Sequence, residues 1–158
     1  SLTGHLVFST LHTNDACSAA TRLIDMGVEP YLVASAVEGV MAQRLVRSIC
    51  PNCREPYHPN PDDLPGDFQK DEDTVFYHGA GCRTCKNGGL KGRLGLFELV
   101  PFSDSIRQGI MERASAGTLN DIARKEGMFT LREDGWRKVK SGLTTPEEVQ
   151  RVTVSSMM

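Results

Sequence analysis

The sequence predicts an α/β protein in three consecutive parts: the end of an α/β domain, a metal-pinned insert and a helical region. Three observations carry this. His5-Leu6-Val7-Phe8-Ser9-Thr10-Leu11 is nearly unbroken apolar sequence, the character of a strand buried on both faces of a parallel sheet. Cys50-Pro51-Asn52-Cys53 and Cys82-Arg83-Thr84-Cys85 are two C-x-x-C pairs. From Ser103 onward the pattern is one of capped, amphipathic helices. The expected borders are 1–46 for the end of the α/β core, 47–100 for the insert and 101–158 for the helical region.

At 158 residues and 39% apolar, the chain is long enough to bury a core. A net charge of −2 and only 6% aromatic residues argue against nucleic acid as a partner. No apolar run reaches the length of a membrane span, so neither a signal peptide nor direct membrane insertion is expected from these residues.

The strand at residues 5–11 has no convincing parallel neighbour in the sequence. That implies sheet partners upstream and a chain that is the C-terminal piece of something larger. Thr13, Asn14 and Asp15 are all good N-caps for a helix running to about Met26, with Gly27 as its stop. Glu29-Pro30 opens a second helix, whose broad apolar face is expected to run from Leu32 through Val37, Val40 and Met41 to Leu45.

The cysteine pairs follow. Each C-x-x-C turn aims two sulfurs at one point, and two such turns supply the four thiolates of a closed tetrahedral zinc site. Four free thiols, two disulfides or an iron–sulfur cluster are the alternatives. His78 is near enough in sequence to Cys82 to be considered as a ligand, but four cysteines already fill such a site. The fifth cysteine, Cys17, reads as a small buried hydrophobe. An odd thiol beside a thiolate metal site suggests a reducing, cytoplasmic compartment.

Pro56 to Asp73 is rich in Pro and Asp and reads as a long exposed, mobile loop, with His58 unpartnered and Asp71-Glu72-Asp73 as solvated surface. Thr74-Val75-Phe76-Tyr77 is a short strand candidate. Asn87-Gly88-Gly89 demands a turn, and the run from Arg93 to Val100 alternates as a strand does. Beyond it, Ser103 or Asp104 caps a first helix and Thr118 a second, stopped at Gly127. Thr130-Leu131-Arg132-Glu133 has capping-box spacing for a third, ended by Gly142, and Thr145-Pro146-Glu147-Glu148 starts the last. No G-x-x-x-x-G-K-[ST] phosphate loop occurs anywhere.

His12 stands at the carboxyl end of the expected strand, before a helix start. Ligands of open α/β sheets bind there, and helix N-termini favour anions such as phosphate. A histidine there contacts a phosphoryl oxygen, holds an attacking water, or is simply satisfied at a strand end. His5, at the other end, reads as structural.

Thr3 through Ala16, with Thr21-Arg22-Leu23 and Ala42-Gln43-Arg44-Leu45-Val46, resembles the His-box region of the secretion ATPases, the motors of type II secretion and type IV pilus assembly. The resemblance continues through both cysteine pairs, Gly92 to Leu99, Thr130 to Gly135 and Thr144 to Thr153. The tetracysteine insert favours the extension-type motors over the retraction ATPases. The resemblance implies a RecA-like fold ending in a zinc subdomain and helical region, with ATP and Mg²⁺ bound in the parent and a homo-hexameric assembly. It implies cytoplasmic location, peripheral to the inner membrane through platform proteins. His12 would be catalytic near the γ-phosphate with His5 in support at the nucleotide, and Arg22 and Arg93 would match arginines around the nucleotide or at subunit contacts. The Walker A and B elements and Asp box of such motors are absent here, so this stretch by itself is expected to be inactive. The rival reading is a stand-alone zinc-ribbon interaction module; a nucleic-acid-binding zinc protein is disfavoured by charge.

Overall fold

A computed structural model describes residues 3–60, 64–69, 71 and 74–153. Its contacts divide the chain into two compact units, each made of two separate segments. The first is Ser1–Ala42 with Phe97–Thr130, the second Gln43–Leu96 with Leu131–Met158. These units cut across the three consecutive parts expected above. The first two of the C-terminal helices belong to one unit and the last two to the other.

Four helices build the first unit: α1 (Ala16–Asp25), α2 (Pro30–Ala36), α3 (Asp104–Met111) and α4 (Ala116–Lys125). Asp15 caps α1 as expected, accepting the backbone N–H of Ser18 at 2.8 Å and its hydroxyl at 2.6 Å. Ser103 caps α3, accepting the N–H of Ile106. The cap of α4 is Ser115, not Thr118: the Ser115 hydroxyl accepts the Thr118 N–H at 3.1 Å, so Thr118 is already inside the helix. The buried core brings Cys17 and Ala20 of α1 against Val33 of α2, Ile106 and Ile110 of α3 and Leu119 of α4.

The second unit holds an antiparallel pair, β2 (Arg54–Tyr57) and β3 (Phe76–Gly79), in the register Arg54↔Gly79, Glu55↔His78, Pro56↔Tyr77 and Tyr57↔Phe76. It also holds helices α5 (Leu131–Lys140) and α6 (Pro146–Thr153). Its core is Phe68, Phe76, Trp136, Val139 and Val149. Two long strands, β1 (Gly39–Ile49) and β4 (Leu90–Pro101), pair in a two-stranded sheet.

Four expectations need correction. Residues 5–11 are not a strand: Leu6, Val7 and Phe8 are 79%, 62% and 88% exposed, and no strand among the described residues pairs with them. An apolar extended run becomes a strand only where a neighbour satisfies its backbone. The second helix stops at Ala36 rather than Leu45. Val37 is already extended, and burial from Gly39 to Arg47 alternates with period two. Pairing with β4 overrides a helical reading that Val37, Val40 and Leu45 had fitted by spacing alone. The strand expected at Thr74–Tyr77 lies two residues further on, at Phe76–Gly79.

The connection from β2 to β3 is not wholly exposed either. Phe68 is buried among Phe76 and Trp136, and Asp71 pairs with Lys140 at 2.6 Å. One large aromatic in an otherwise polar stretch is enough to dock it. Residues 61–63, Lys70, Glu72 and Asp73 of that stretch, and those after Thr153, lie outside the described residues.

Candidate functional site

The four cysteines of the two C-x-x-C pairs converge. β1 delivers Cys50 at its end, the turn after it delivers Cys53, and a single 3-10 turn, Arg83–Cys85, carries the second pair. Cys53 N–H closes on Cys50 O at 3.3 Å, and Asn87 N–H on Cys82 O at 2.8 Å. The second turn reverses through Lys86 and Asn87, both with left-handed backbone, into the expected glycines. Gly79 and Gly89 pass face to face: a Cβ on either would meet the other's backbone well inside 3.0 Å. Gly79 ends β3 and Gly89 precedes β4, so two missing side chains let both strands leave one small cluster.

The sulfurs of Cys50 and Cys82, of Cys53 and Cys85, and of Cys82 and Cys85 are each 3.8 Å apart. All four lie within 4.8 Å of one another. A tetrahedron with corners about 2.3 Å from its centre, the zinc–thiolate distance, has edges of about 3.8 Å. A disulfide would hold two sulfurs at about 2.05 Å, so all four are free thiols. The cluster therefore fits a four-coordinate metal ion and could hold one with no position left for water or substrate. His78 is not a fifth candidate, because its Nε2 pairs with Glu55 Oε1 at 2.8 Å and its ring stacks on Tyr57.

The backbone prepares the sulfurs of Cys82 and Cys85 for negative charge. Cys82 is drawn down to about 6, chiefly by the N–H of Cys85 on its sulfur. Burial works against Cys85, but the N–H groups of Cys82 and Gly89, at 3.2 and 3.3 Å, outweigh it and lower its pKa. Burial pushes Cys53 up to about 12, against an opposing N–H from Gly81. Donors aimed at sulfur favour the thiolate that a metal requires.

The histidines and arginines of interest are not gathered in this way. His5 and His12 are exposed in the segment before α1, Arg22 is exposed in the last turn of α1, and Arg93 is exposed on β4 in the second unit. None of the four side chains has a hydrogen-bond or ion-pair partner among the described residues.

The N-terminus of α1, expected to suit phosphate, is taken by two carboxylates. Asp15 accepts from Ser18, and Glu98, only 3% exposed, accepts the Ala16 N–H at 2.8 Å from across the unit. The same two acids, after burial itself, push the Cys17 thiol up to about 12. Glu98 escaped the sequence reading, although a signal was there. It shares parity with Leu96 and Val100, the inward positions of β4.

Residues 1–151 match the family model described as "Type II/IV secretion system protein". The chain belongs to this secretion-system family. It is 45% identical over 157 residues to the type II secretion system ATPase E of Vibrio cholerae, covering 99% of this chain and 31% of that protein. It is 46% identical over 156 residues to the type IV pilus assembly ATPase PilB of Thermus thermophilus, covering 97% of this chain and 18% of the relative. Against the type II secretion system protein E of Pseudomonas aeruginosa, identity is 48% over 155 residues, covering 97% and 30%. This secretion-system chain thus spans less than a third of the length of these relatives. Among its described residues, no helix is long and apolar enough to cross a membrane.

Proposed function

We propose that this chain is the C-terminal part of a hexameric, RecA-like ATPase that powers type II secretion or type IV pilus assembly. One observation carries the reading: 45–48% identity over at least 97% of the chain to relatives in both systems, two of them named as ATPases. The motor would work on the cytoplasmic side of the inner membrane, held there by platform proteins.

Phosphoryl transfer is almost entirely positioning and charge stabilisation. This chain has no phosphate loop of the G-x-x-x-x-G-K-[ST] kind, so other segments of the longer protein would clamp ATP and Mg²⁺. His12, supported by His5, would contribute at the γ-phosphate side. The guanidinium groups of Arg22 and Arg93, exposed and without a partner among the described residues, would stabilise transition-state charge, including across subunit boundaries. The carboxylates at the head of α1 argue that phosphate is met by the His12 side chain and not by that helix terminus. Zinc is the metal proposed for Cys50, Cys53, Cys82 and Cys85, where it supplies folding free energy.

In the full-length motor, His12→Ala is expected to lower turnover by about 100-fold with little change in KM for ATP. Undiminished turnover would remove His12 from the reaction. Arg22→Ala and Arg93→Ala, mixed with subunits unable to bind ATP, test whether each arginine acts on a neighbour's nucleotide. Elemental analysis is expected to return about one zinc per chain; iron, or five titratable thiols with no metal, would overturn the assignment.

A further inference from the structure

Helices α5 and α6 rest on three strands of their unit, and all three are fastened at the cysteine cluster. β1 ends one residue before Cys50. Its Ile49 N–H donates to Leu143 O at 2.9 Å, its Arg47 O accepts the Thr144 hydroxyl at 2.7 Å, and its Arg47 N–H donates to Glu148 at 2.7 Å. β2 begins one residue after Cys53. Its Arg54 guanidinium stacks 3.9 Å above the Tyr77 ring, and both lie where a Cβ on Gly142 would project. β3 ends three residues before Cys82. Its Phe76 ring is 5.4 Å from Phe68, which stands edge-on to Trp136 of α5 at 5.3 Å. The turn between the helices, Ser141 to Thr145, thus reads the placement of both cysteine pairs.

We propose that metal binding at the four cysteines and the seating of α5–α6 form a single coupled equilibrium, so that the metal centre decides whether residues 131–153 are docked. The inference rests on the cluster holding a metal and is independent of the ATPase reading. α5 and α6 have 10 and 8 residues, too short to persist without tertiary burial. Of the strands beneath them, β2 and β3 have only four residues each and lie at the mouth of a loop from Cys53 to Cys82. Among its described residues that loop is fixed to the helix pair itself, through Phe68 and Asp67. Without a metal, the cluster's two sides are joined by the four-residue β2–β3 pairing and by two further backbone bonds, Cys50 N–H to Gly89 O and Ala80 N–H to Cys53 O. Coupling is reciprocal, so a change that unseats the helices must weaken metal binding by the same factor.

Both directions are measurable on the full chain. Zinc-loaded protein is stripped with a chelator and followed by amide hydrogen exchange and by the fluorescence of Trp136, the single tryptophan. The expected result is loss of protection in α5 and α6 and a red-shifted Trp136 emission, with α1, α3 and α4 still protected. In the reverse direction, Gly142→Val and Thr144→Val, neither at a ligand, are expected to lower zinc affinity about tenfold in competition with a chromophoric chelator. Ser115→Ala, in the other unit, is the control and leaves affinity unchanged. Unchanged protection of α5–α6 after verified metal removal would overturn the proposal. So would equal loss across both units, or parental zinc affinity in both valine variants. Failure of the parent chain to bind zinc at all would overturn the metal reading along with it.

Discussion

Asp67 sits in the β2–β3 connection and holds it to α5. Its carboxylate accepts from Arg132 Nη2 at 2.8 Å and from the Trp136 indole N–H at 3.0 Å. The Arg132 hydrogen bonds hold its pKa down at about 2, below the ordinary 3.8; burial opposes them and Trp136 assists. A depressed carboxylate contributes stability that is fully present above about pH 4 and is lost as pH falls through about 2. The Asp67 side chain is 36% exposed, so solvent screening keeps the contribution to about 1 kcal/mol. Trp136 fluorescence should therefore change between about pH 4 and pH 2, and Asp67→Asn should remove that phase; an identical acid titration in the variant would refute the assignment. Glu98 allows a sharper test. Glu98→Ala strips the Ala16 N–H of its buried acceptor and should cost about 1–3 kcal/mol. Glu98→Gln, which keeps an acceptor oxygen, should cost less. Equal stability of all three proteins by chemical denaturation would mean that water replaces the carboxylate.

At the scale of elements, capping chemistry was the most legible part of the sequence. Asp15, Ser103 and Pro146 stand where their side-chain chemistry said they should. The α4 cap went astray because two hydroxyl residues, Ser115 and Thr118, bracket the helix start, and the earlier one takes the N3 amide. Ser115→Ala is expected to destabilise the first unit by about 1 kcal/mol and Thr118→Ala by clearly less; the reverse order in thermal melts would restore Thr118 as the cap. β1 was illegible for a different reason. Val40 and Leu45 point to opposite faces of a strand and so suggested a helical face instead, and what decides is β4, about 50 residues further along the chain. Helix packing also depends on an absence that periodicity does not register. A Cβ on Gly135 of α5 would stand 2.5 Å from Val149 of α6 and 3.3 Å from Leu96. Gly135→Ala should accordingly cost about 1–3 kcal/mol through overpacking, with Trp136 fluorescence as the reporter. A variant as stable as the parent would show that Val149 can move aside.

For the molecule as a whole, the four thiols were legible because local C-x-x-C geometry survives any tertiary arrangement, whereas the division into units was not. Unit membership is set by contacts between distant segments, which composition and spacing do not encode. The same distinction separates the cysteine cluster, assembled within this chain, from His12, Arg22 and Arg93, whose proposed work needs segments and subunits beyond it. Residues 1–158 alone are accordingly expected to hydrolyse no ATP; steady turnover abolished by His12→Ala would overturn that view. Metal retention should fail in acid, since all four sulfurs must stay deprotonated. Zinc should leave progressively as pH falls below neutrality, and retention down to about pH 3 would indicate other ligands.

The chain passes between its units three times, at Ala42–Gln43, Leu96–Phe97 and Thr130–Leu131. This interleaving bears on the order in which a ribosome releases the parts. When Cys85 has emerged, the first unit still lacks α3 and α4, and the second lacks α5 and α6. Neither core can yet close, but the thiols of Cys50, Cys53, Cys82 and Cys85 are all in hand. The cysteine cluster can thus assemble before either core, preceded among long-range contacts by α1 against α2 and by β2 against β3, and the loop it closes costs little more than a shorter one, because closure entropy grows only logarithmically with length. A nascent chain arrested once Cys85 has cleared the ribosome should already protect Cys50, Cys53, Cys82 and Cys85 from alkylation when zinc is present, at a stage when the core residues of both units are still waiting for their partners.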